Sequence, residues 1–285
     1  MKKLFLALAG LAAVVAVVAL VASCSSKKSS ETTDASASAQ KYLILYYSQT
    51  GATQTVANAI KSSLGDAADI EVIEVEEPYN GTYQETIERC QKEKADGTVP
   101  AVKPLKANLA DYDTIFLGYP VWFGTYAQPV AGLVSSVDFA GKTIVPFCTF
   151  GSGGLVESVA DLKKALPQAE ILDGYGIRNA RIAKAADEVK QYLIDNGYVE
   201  GQKSEPLPAF YEQVAVTDAD KAVFEAACSD YPMPLGTPVT TSKRTIPGGT
   251  EYMFKAKNDS GDTLTIYITA ADAEGAKPEF TLVVR

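Results

Sequence analysis

The chain of 285 residues contains no histidine. This absence excludes Ser-His-Asp and Cys-His catalytic groups, in which an imidazole moves the proton. It also argues against a catalytic zinc site, because histidine is a usual ligand of such sites. We therefore predict neither a catalytic side chain nor a metal ligand in this protein.

Cysteine is also scarce, with four residues in the whole chain. Cys24 stands alone near the start, and Cys90, Cys148 and Cys228 form an odd set at wide spacing, so no disulfide framework is predicted. One bridge between two of these three remains possible. Cys148 ends an apolar run and is expected to be a buried free thiol.

Basic residues are fewer than acidic ones, with 26 Lys and Arg against 35 Asp and Glu and a net charge of −9. A surface of this sign argues against nucleic acid or anionic lipid as a partner. The chain is 47% hydrophobic and 21% charged, which is the composition of a globular protein with one large or two modest domains.

The first residues differ in composition from the rest. Two lysines precede an apolar run at residues 4–22, which is typical of a secretory signal or a membrane anchor. Residues 20–24 resemble a bacterial lipobox, which implies that residues 1–23 are a signal peptide and that Cys24 carries a lipid. An uncleaved transmembrane helix is the alternative. Residues 24–40 are predicted to be a flexible tether. Both interpretations place the remaining chain outside the cytoplasm, anchored to a bacterial membrane.

The next segment predicts a buried strand, a turn and a helix. Residues 41–47 are apolar and aromatic, as expected of a strand covered on both faces, and Val56, Ile60 and Leu64 recur at helical spacing. Between them lies a segment that we call the hydroxyl loop, which consists of Ser48, Gln49, Thr50, Gly51, Ala52 and Thr53. Its hydroxyls and the free N–H groups of the helix favour an anion. Because the loop lacks the Lys-Ser/Thr pair of a triphosphate-binding loop, it is predicted to hold one terminal phosphate. An ordinary capped helix is the alternative.

Strand-like and helix-like segments alternate up to residue 199, which predicts an α/β domain with a doubly wound, five-stranded parallel sheet. The predicted strands are residues 41–47, 70–75, 114–118, 143–148 and 170–172, and the predicted later helices are residues 82–94, 128–137, 155–166 and 179–196. Open α/β sheets bind ligands at the carboxyl ends of their strands. The loops after the third and fourth strands are therefore candidate binding loops.

Both of these loops have an unusual composition. The first, which we call the aromatic loop, consists of Tyr119, Pro120, Val121, Trp122, Phe123 and Gly124. Its rings could stack on a flat ring system, or they could pack under the next helix or bind a protein. The second, which we call the glycine loop, consists of Thr149, Phe150, Gly151, Ser152, Gly153 and Gly154. Its glycines allow backbone N–H groups to approach a ligand. A flexible turn is the alternative, and the loop does not match the dinucleotide-binding fingerprint.

Together, the Ser-x-Thr-Gly-x-Thr, Tyr-Pro-Val-Trp-Phe-Gly and Thr-Phe-Gly-Ser-Gly-Gly segments resemble the flavodoxin family over residues 41–198. The resemblance implies that the hydroxyl loop holds the phosphate of FMN. It also implies that Trp122, with Tyr119 and Phe123 near it, flanks the isoalloxazine. The backbone amides of residues 149–153 would face the polar edge of that ring. Phe150 departs from the family, whose members often carry His or Ser there, so a side chain that could polarise the flavin is replaced by an apolar ring.

The function implied by the resemblance is electron transfer to or from a quinone, another small molecule or a redox partner protein. In such a protein the flavin carries the redox chemistry, and the chain supplies binding and orientation. An electron carrier and a quinone-reductase-like enzyme are both compatible with the sequence. The alternative is a non-catalytic surface binding module on a flavodoxin scaffold that does not use FMN.

The composition changes again after residue 199. Residues 200–216 are rich in Gly, Pro and polar residues and are predicted to be a linker. Residues 217–285 predict a small α+β domain with an antiparallel sheet, which is similar to cystatin-like folds. Its predicted helix is residues 219–228, and its predicted strands are residues 239–245, 250–257, 263–270 and 279–284. Because no cluster of catalytic residue types occurs there, a structural or partner-binding role is expected.

Overall fold

The computed structural model describes residues 41–285. The predicted signal peptide, residues 1–23, and the predicted tether with Cys24, residues 24–40, lie outside the described residues. Within residues 41–285, every helix is too short or too polar to cross a bilayer.

The first part of the described chain alternates strands and helices. Its strands are β1 (Tyr42–Tyr46), β2 (Ala68–Val72), β3 (Thr114–Trp122), β4 (Thr125–Tyr126), β5 (Thr143–Phe150), β6 (Glu170–Ile171) and β7 (Tyr175–Arg178), and its helices are α1 (Ala52–Leu64), α2 (Tyr83–Asp96), α3 (Gln128–Ser136), α4 (Leu155–Ala165) and α5 (Ala185–Asp195). The sheet has the order β2-β1-β3-β5, with β6 and β7 one after the other on the free side of β5. These neighbours are parallel. The predicted doubly wound, five-stranded sheet is therefore confirmed.

The first strand shows why the sheet needs helices on both faces. All five residues of β1 are buried. Leu43 and Leu45 belong to the core under α2, α3 and α4, whereas Ile44 belongs to the core under α1 and α5. The continuous apolar run of residues 41–47 thus reflects two cores that share one sheet.

The third strand is longer than predicted. It was expected to end at residue 118, but β3 continues to Trp122 and folds back as β4. Phe123 and Gly124 form the turn with φ values of 51° and 80°, and two successive positive φ values are typical of a tight hairpin turn. Part of the aromatic loop is therefore an antiparallel hairpin.

The fifth position of the sheet is interrupted, whereas the sequence predicted one strand at residues 170–172. Leu172 donates its N–H to the carbonyl of Ile144 in β5. Pro146 lies two residues further along β5 and faces the same edge, but it has no N–H to donate. The ladder therefore breaks between β6 and β7.

The helix predicted at residues 179–196 is divided into two parts. Its first turns form a 3-10 helix, Asn179–Lys184, which precedes α5. In a 3-10 helix, residues three apart lie on the same side. Arg181 and Lys184 are three apart, and both pair with Glu279 at 3.1 and 2.6 Å. This distant contact is the reason that a local helix pattern did not predict the division.

The C-terminal part confirms the predicted α+β class. It contains α6 (Asp218–Cys228) and the strands β8 (Val214–Ala215), β9 (Thr237–Ile246), β10 (Gly249–Lys257), β11 (Thr263–Ala271) and β12 (Glu279–Val284), in the sheet order β12-β11-β10-β9-β8. Phe224 of α6 packs against Phe254 of β10 in a separate core. The segment predicted as a linker, residues 200–216, supplies β8 because the free edge of β9 accepts an extended chain.

The cysteines Cys90, Cys148 and Cys228 are free thiols. Cys148 is fully buried in β5, and this burial raises its pKa far above the ordinary thiol value. Within residues 41–285, no group of three or more His, Cys, Asp or Glu side chains is arranged to hold a metal ion.

Candidate functional site

The three candidate loops lie at one edge of the parallel sheet. β1, β3 and β5 are adjacent and parallel, with Tyr46 beside Gly118 and Gly118 beside Phe147. Their carboxyl ends therefore bring together the hydroxyl loop, the aromatic loop and the glycine loop, which are far apart in the sequence. This is the edge at which open α/β sheets bind ligands.

The backbone of the hydroxyl loop is shaped around Ser48. Its Oγ accepts hydrogen bonds from the N–H of Gly51 at 3.1 Å and of Gln54 at 3.3 Å. Gly51 has φ = 92° at the N-cap of α1, and the first turn of α1 carries no acidic residue. A positive φ favours glycine at this position. The helix dipole, with no acidic side chain in the turn, makes this turn favourable for an anion.

Two other side chains of this loop form hydrogen bonds with other parts of the protein. The Oγ1 of Thr53 is buried and lies 2.9 Å from the Oγ1 of Thr149 in the glycine loop. Gln49 donates from Nε2 to the carbonyl of Tyr79 at 2.6 Å and accepts a hydrogen bond from the hydroxyl of Tyr47. Thr50 remains exposed, and Ala52 is half-buried in the first turn.

The aromatic loop divides into buried and accessible parts. Tyr119 is 0% exposed, and its hydroxyl lies 3.1 Å from the Oγ of Ser158, so this ring belongs to the core rather than to the accessible edge. Phe123 is 50% exposed. Trp122 is half-buried, as are Pro120 and Val121, and Gly124 is exposed.

Two tyrosines contact the Trp122 ring. Tyr47 and Tyr79 meet it edge to face, with ring centroids 5.8 and 5.4 Å away. Such T-shaped pairs fix the orientation of a ring beyond the effect of burial alone. Burial raises the pKa of Tyr47, and the pKa of Tyr79 is raised by burial and by its hydrogen bond to Glu93. Both phenols are therefore neutral hydrogen-bond donors.

A second layer behind these tyrosines was only partly visible in the sequence. Tyr79 donates its hydroxyl to Glu93 Oε2 at 2.6 Å, and Arg89 pairs with Glu93 Oε1 at 2.8 Å. The guanidinium of Arg89 also lies 3.8 Å from the ring centre of Tyr79. In the sequence, Tyr79 and Glu93 are similar to a tyrosine and glutamate pattern of flavodoxin-like proteins between the second and third strands, whereas nothing pointed to Arg89 or to Tyr47 as site residues.

The glycine loop offers backbone rather than side chains. Thr149 and Phe150 are buried, and Phe150 packs in the core. Gly151 is exposed, whereas Ser152 and Gly153 are half-buried. Because the first two side chains point inwards, the polar groups that this loop can present to a ligand are mainly peptide N–H and C=O groups.

A cavity of about 260 Å³ lies beside the hydroxyl loop. Its wall includes Tyr47, Ser48, Gln49 and Tyr79, together with the exposed ion pair of Glu74 and Lys103 at 2.8 Å. The cavity thus joins the start of the hydroxyl loop to the aromatic rings around Trp122.

Comparison with known proteins identifies the family. A model of the flavodoxin family matches residues 41–196. A protein from Bacteroides uniformis ATCC 8492, whose solved structure is described provisionally as a flavoprotein, is 27% identical over 54% of this chain and 97% of its own, with a TM-score of 0.48. A second such protein, from Bacteroides eggerthii DSM 20697, is 28% identical over 52% of this chain and 97% of its own, with a TM-score of 0.44.

A flavoprotein from Lactobacillus acidophilus NCFM has been solved in complex with FMN. It is 22% identical over 52% of this chain and 99% of its own, with a TM-score of 0.44. The family match itself covers more than half of the sequence, and it spans all three candidate loops. The chain therefore belongs to the flavodoxin family.

Proposed function

We propose that this protein binds FMN non-covalently at the carboxyl edge of its parallel sheet and uses it to transfer electrons. The observation that carries the proposal is the hydroxyl loop. Gly51 at φ = 92° opens the turn, Ser48 orders it, and the first turn of α1 carries no acidic residue. This combination suits one dianionic phosphate.

The residues of the site fit the phosphate of a mononucleotide better than that of a triphosphate. The N–H groups of Gly51 and Gln54 bind Ser48 Oγ, so those of Ala52 and Thr53 would bind the phosphate oxygens. Thr50, which precedes them in the loop, is exposed. Lys61, the first basic residue after the loop, donates instead to the carbonyls of Gly65 and Ala68 at the other end of the helix. Neutral donors are therefore the groups that this loop can offer.

The other two loops would hold the ring system. Trp122 is only half-buried, so part of its indole ring is accessible, and stacking on a flat ring is favourable. The peptide N–H groups of Ser152 and Gly153 would bind the polar edge of the isoalloxazine. Tyr119 would act from the core, by supporting the strand beneath the site.

Bound FMN supplies the redox chemistry, in steps of one or two electrons. The chain holds the phosphate, orients the ring and limits the access of water to it. We propose that the partner is a quinone, another small molecule or a redox protein. The lipobox-like residues 20–24 support an extracytoplasmic protein that is anchored through a lipid on Cys24, with residues 24–40 as its tether.

The test is a visible absorption and fluorescence titration of the full chain, purified in detergent, with FMN. We expect a bound flavin spectrum and quenching of FMN fluorescence. Trp122→Ala should weaken the affinity by roughly tenfold, because about 1–2 kcal/mol of stacking is lost.

A matched control is Tyr211→Ala, which removes an exposed aromatic ring in the C-terminal part and should bind FMN like the unmodified protein. A chain that neither binds FMN nor changes its fluorescence would leave the binding-module alternative. If Trp122→Ala bound FMN normally, the indole would not be the stacking surface.

A further inference from the structure

The C-terminal domain, which contains α6 and β8 to β12, contacts the glycine loop directly. β12 lies at the edge of its sheet, so one row of its backbone groups is free to bind another segment. The N–H of Val283 in β12 donates to the carbonyl of Ser152 at 2.8 Å. Gly153 lies against the same residue, because a Cβ at Gly153 would be 2.0 Å from the Val283 carbonyl oxygen.

Arg178 makes a second link between the two regions. Its Nε donates to the carbonyl of Gly151 at 2.8 Å, and its Nη1 donates to the carbonyl of Phe280 in β12 at 2.8 Å. Its guanidinium also lies 4.2 Å from the ring centre of Phe280. A planar guanidinium can serve two acceptors at once in a fixed geometry.

Arg178 is the first of three basic residues spaced by three. Arg181 and Lys184 follow it, and both pair with Glu279 at the start of β12. The three cations therefore dock one strand of the C-terminal domain onto the side of the flavodoxin domain. Of the three, Arg178 is the one that also binds the glycine loop.

These contacts determine which way the peptide groups of the loop point. In a planar trans peptide, the C=O of one residue and the N–H of the next point in opposite directions. The carbonyl of Gly151 is turned towards Arg178, so the N–H of Ser152 is directed away from it. The carbonyl of Ser152 is turned towards β12, so the N–H of Gly153 is directed away from β12.

We propose that the C-terminal domain is a working part of the flavin site, in which Arg178 and β12 position the N–H groups of Ser152 and Gly153 to bind the polar edge of FMN. This inference rests on the proposed function. Arg178 is a positioning residue, because it acts on the flavin through the carbonyl of Gly151. The C-terminal domain, in which the sequence shows no cluster of catalytic residue types, thereby has a role in the flavin site.

The test compares Arg178→Gln with Lys184→Gln in the full chain. Both remove a cation that binds β12, but only Arg178 touches the glycine loop. We expect Arg178→Gln to weaken FMN affinity by about tenfold, as two amide hydrogen bonds are misdirected. It should also lower the midpoint potential of bound FMN, since N–H donors stabilise the negative charge that reduction places on the ring. Lys184→Gln should have a much smaller effect on both quantities, because Arg181 still pairs with Glu279 and Arg178 still binds the glycine loop.

A second variant acts from the other side of the interface. Val283→Pro removes the N–H that donates to the Ser152 carbonyl, and the proline ring fills the place of that hydrogen bond. Because this N–H points away from β11, the pairing of β12 with β11 should remain. The variant should reproduce the loss of affinity and the lower potential. Arg178→Lys should show nearly the same losses of affinity and potential as Arg178→Gln, because one ammonium cannot replace a planar guanidinium that binds two acceptors.

Amide hydrogen exchange without FMN separates the two proposals. In Arg178→Gln and Val283→Pro, the amides of residues 151–154 should exchange faster than in the unmodified chain. Unchanged exchange in both variants would overturn the positioning role, whether or not FMN binds. Faster exchange with unchanged affinity and potential would also overturn it, while FMN binding by the unmodified chain would leave the proposed function intact.

Discussion

The hydroxyl loop and the glycine loop lie at the same edge of one sheet, but they are held in different ways. The hydroxyl loop is ordered by its own residues, through Ser48 Oγ and the positive φ of Gly51. The glycine loop is ordered by residues more than 25 positions away in the sequence, through Arg178 and Val283. One loop is a local motif and the other is a tertiary contact.

This difference separates what each loop needs from the rest of the protein. A local motif should keep its shape wherever a strand leads into a helix of this kind. A loop that is shaped by a distant strand should lose its shape when that strand is displaced, even though its own sequence is unchanged. The comparison can be tested by changing one loop at a time.

The largest loss of stability is expected for Gly153→Ala. Its Cβ would lie 2.0 Å from the carbonyl oxygen of Val283, and a backbone atom cannot rotate away. We expect a loss of about 2–3 kcal/mol in the free energy of unfolding, which is typical of overpacking. Gly151→Ala is the control, since no heavy atom lies within 4 Å of its Cβ position.

Urea denaturation of both variants, with the unmodified chain beside them, measures this effect. Gly151→Ala should stay within about 0.5 kcal/mol of the unmodified chain. Equal stability of the two variants would mean that β12 does not press on the glycine loop, and the contrast between the loops would disappear.

A smaller loss of stability is expected where the hydroxyl loop and the glycine loop meet. The buried Oγ1 atoms of Thr53 and Thr149 are 2.9 Å apart. Thr53→Val should cost about 1–2 kcal/mol, because it leaves the hydroxyl of Thr149 buried without its partner. The double variant Thr53→Val with Thr149→Val should cost less than the sum of the single variants, since both polar groups are then gone.

The same denaturation measurements, arranged as a double-mutant cycle, give the coupling energy. A coupling near zero would show that the two loops are energetically independent. A clear coupling would show that the local motif and the tertiary contact are joined through this pair of hydroxyls.

The sequence predicted those features that depend on neighbours in the chain. The hydroxyl loop, the helix stripe of Val56 and Ile60, and the buried first strand all follow from spacing within about 15 residues. The division of the predicted helix at Asn179–Lys184 did not, because it depends on Glu279, far away in the chain. The break in the strand pairing at Pro146 could be predicted only once it was known that Ile144 of β5 binds the next strand at the same edge.

The candidate site shows the same division. Trp122 was singled out through the resemblance to the flavodoxin family, but its environment was not predicted, since Tyr47 was taken only as part of a strand. Tyr119 was grouped with the accessible aromatics, although it is fully buried. A sequence pattern shows which residues occur at a strand end, whereas alternation around the turn decides which of them face the ligand side.

The smallest expected effect is a change of stability with pH. It should come only from the contact of β12 with Arg181 and Lys184. Burial alone would raise the pKa of Glu279, but the hydrogen bond from Lys184 and the charges of Arg181 and Lys184 outweigh it and lower the pKa. A lowered pKa contributes stability above the unfolded value of about 4.3 and loses it as the pH falls through the folded value. Glu279→Gln should therefore cost under about 1 kcal/mol at pH 7.

At a pH below the lowered pKa, the unmodified chain and Glu279→Gln should be equally stable, because the carboxyl is then protonated. Glu274→Gln, which removes an exposed carboxylate nearby, should match the unmodified chain at both pH values. Denaturation at pH 7 and at that low pH measures the difference. If Glu279→Gln differed equally from the unmodified chain at both pH values, its effect would be one of packing rather than charge. Arg181 and Lys184 would then not hold β12 electrostatically.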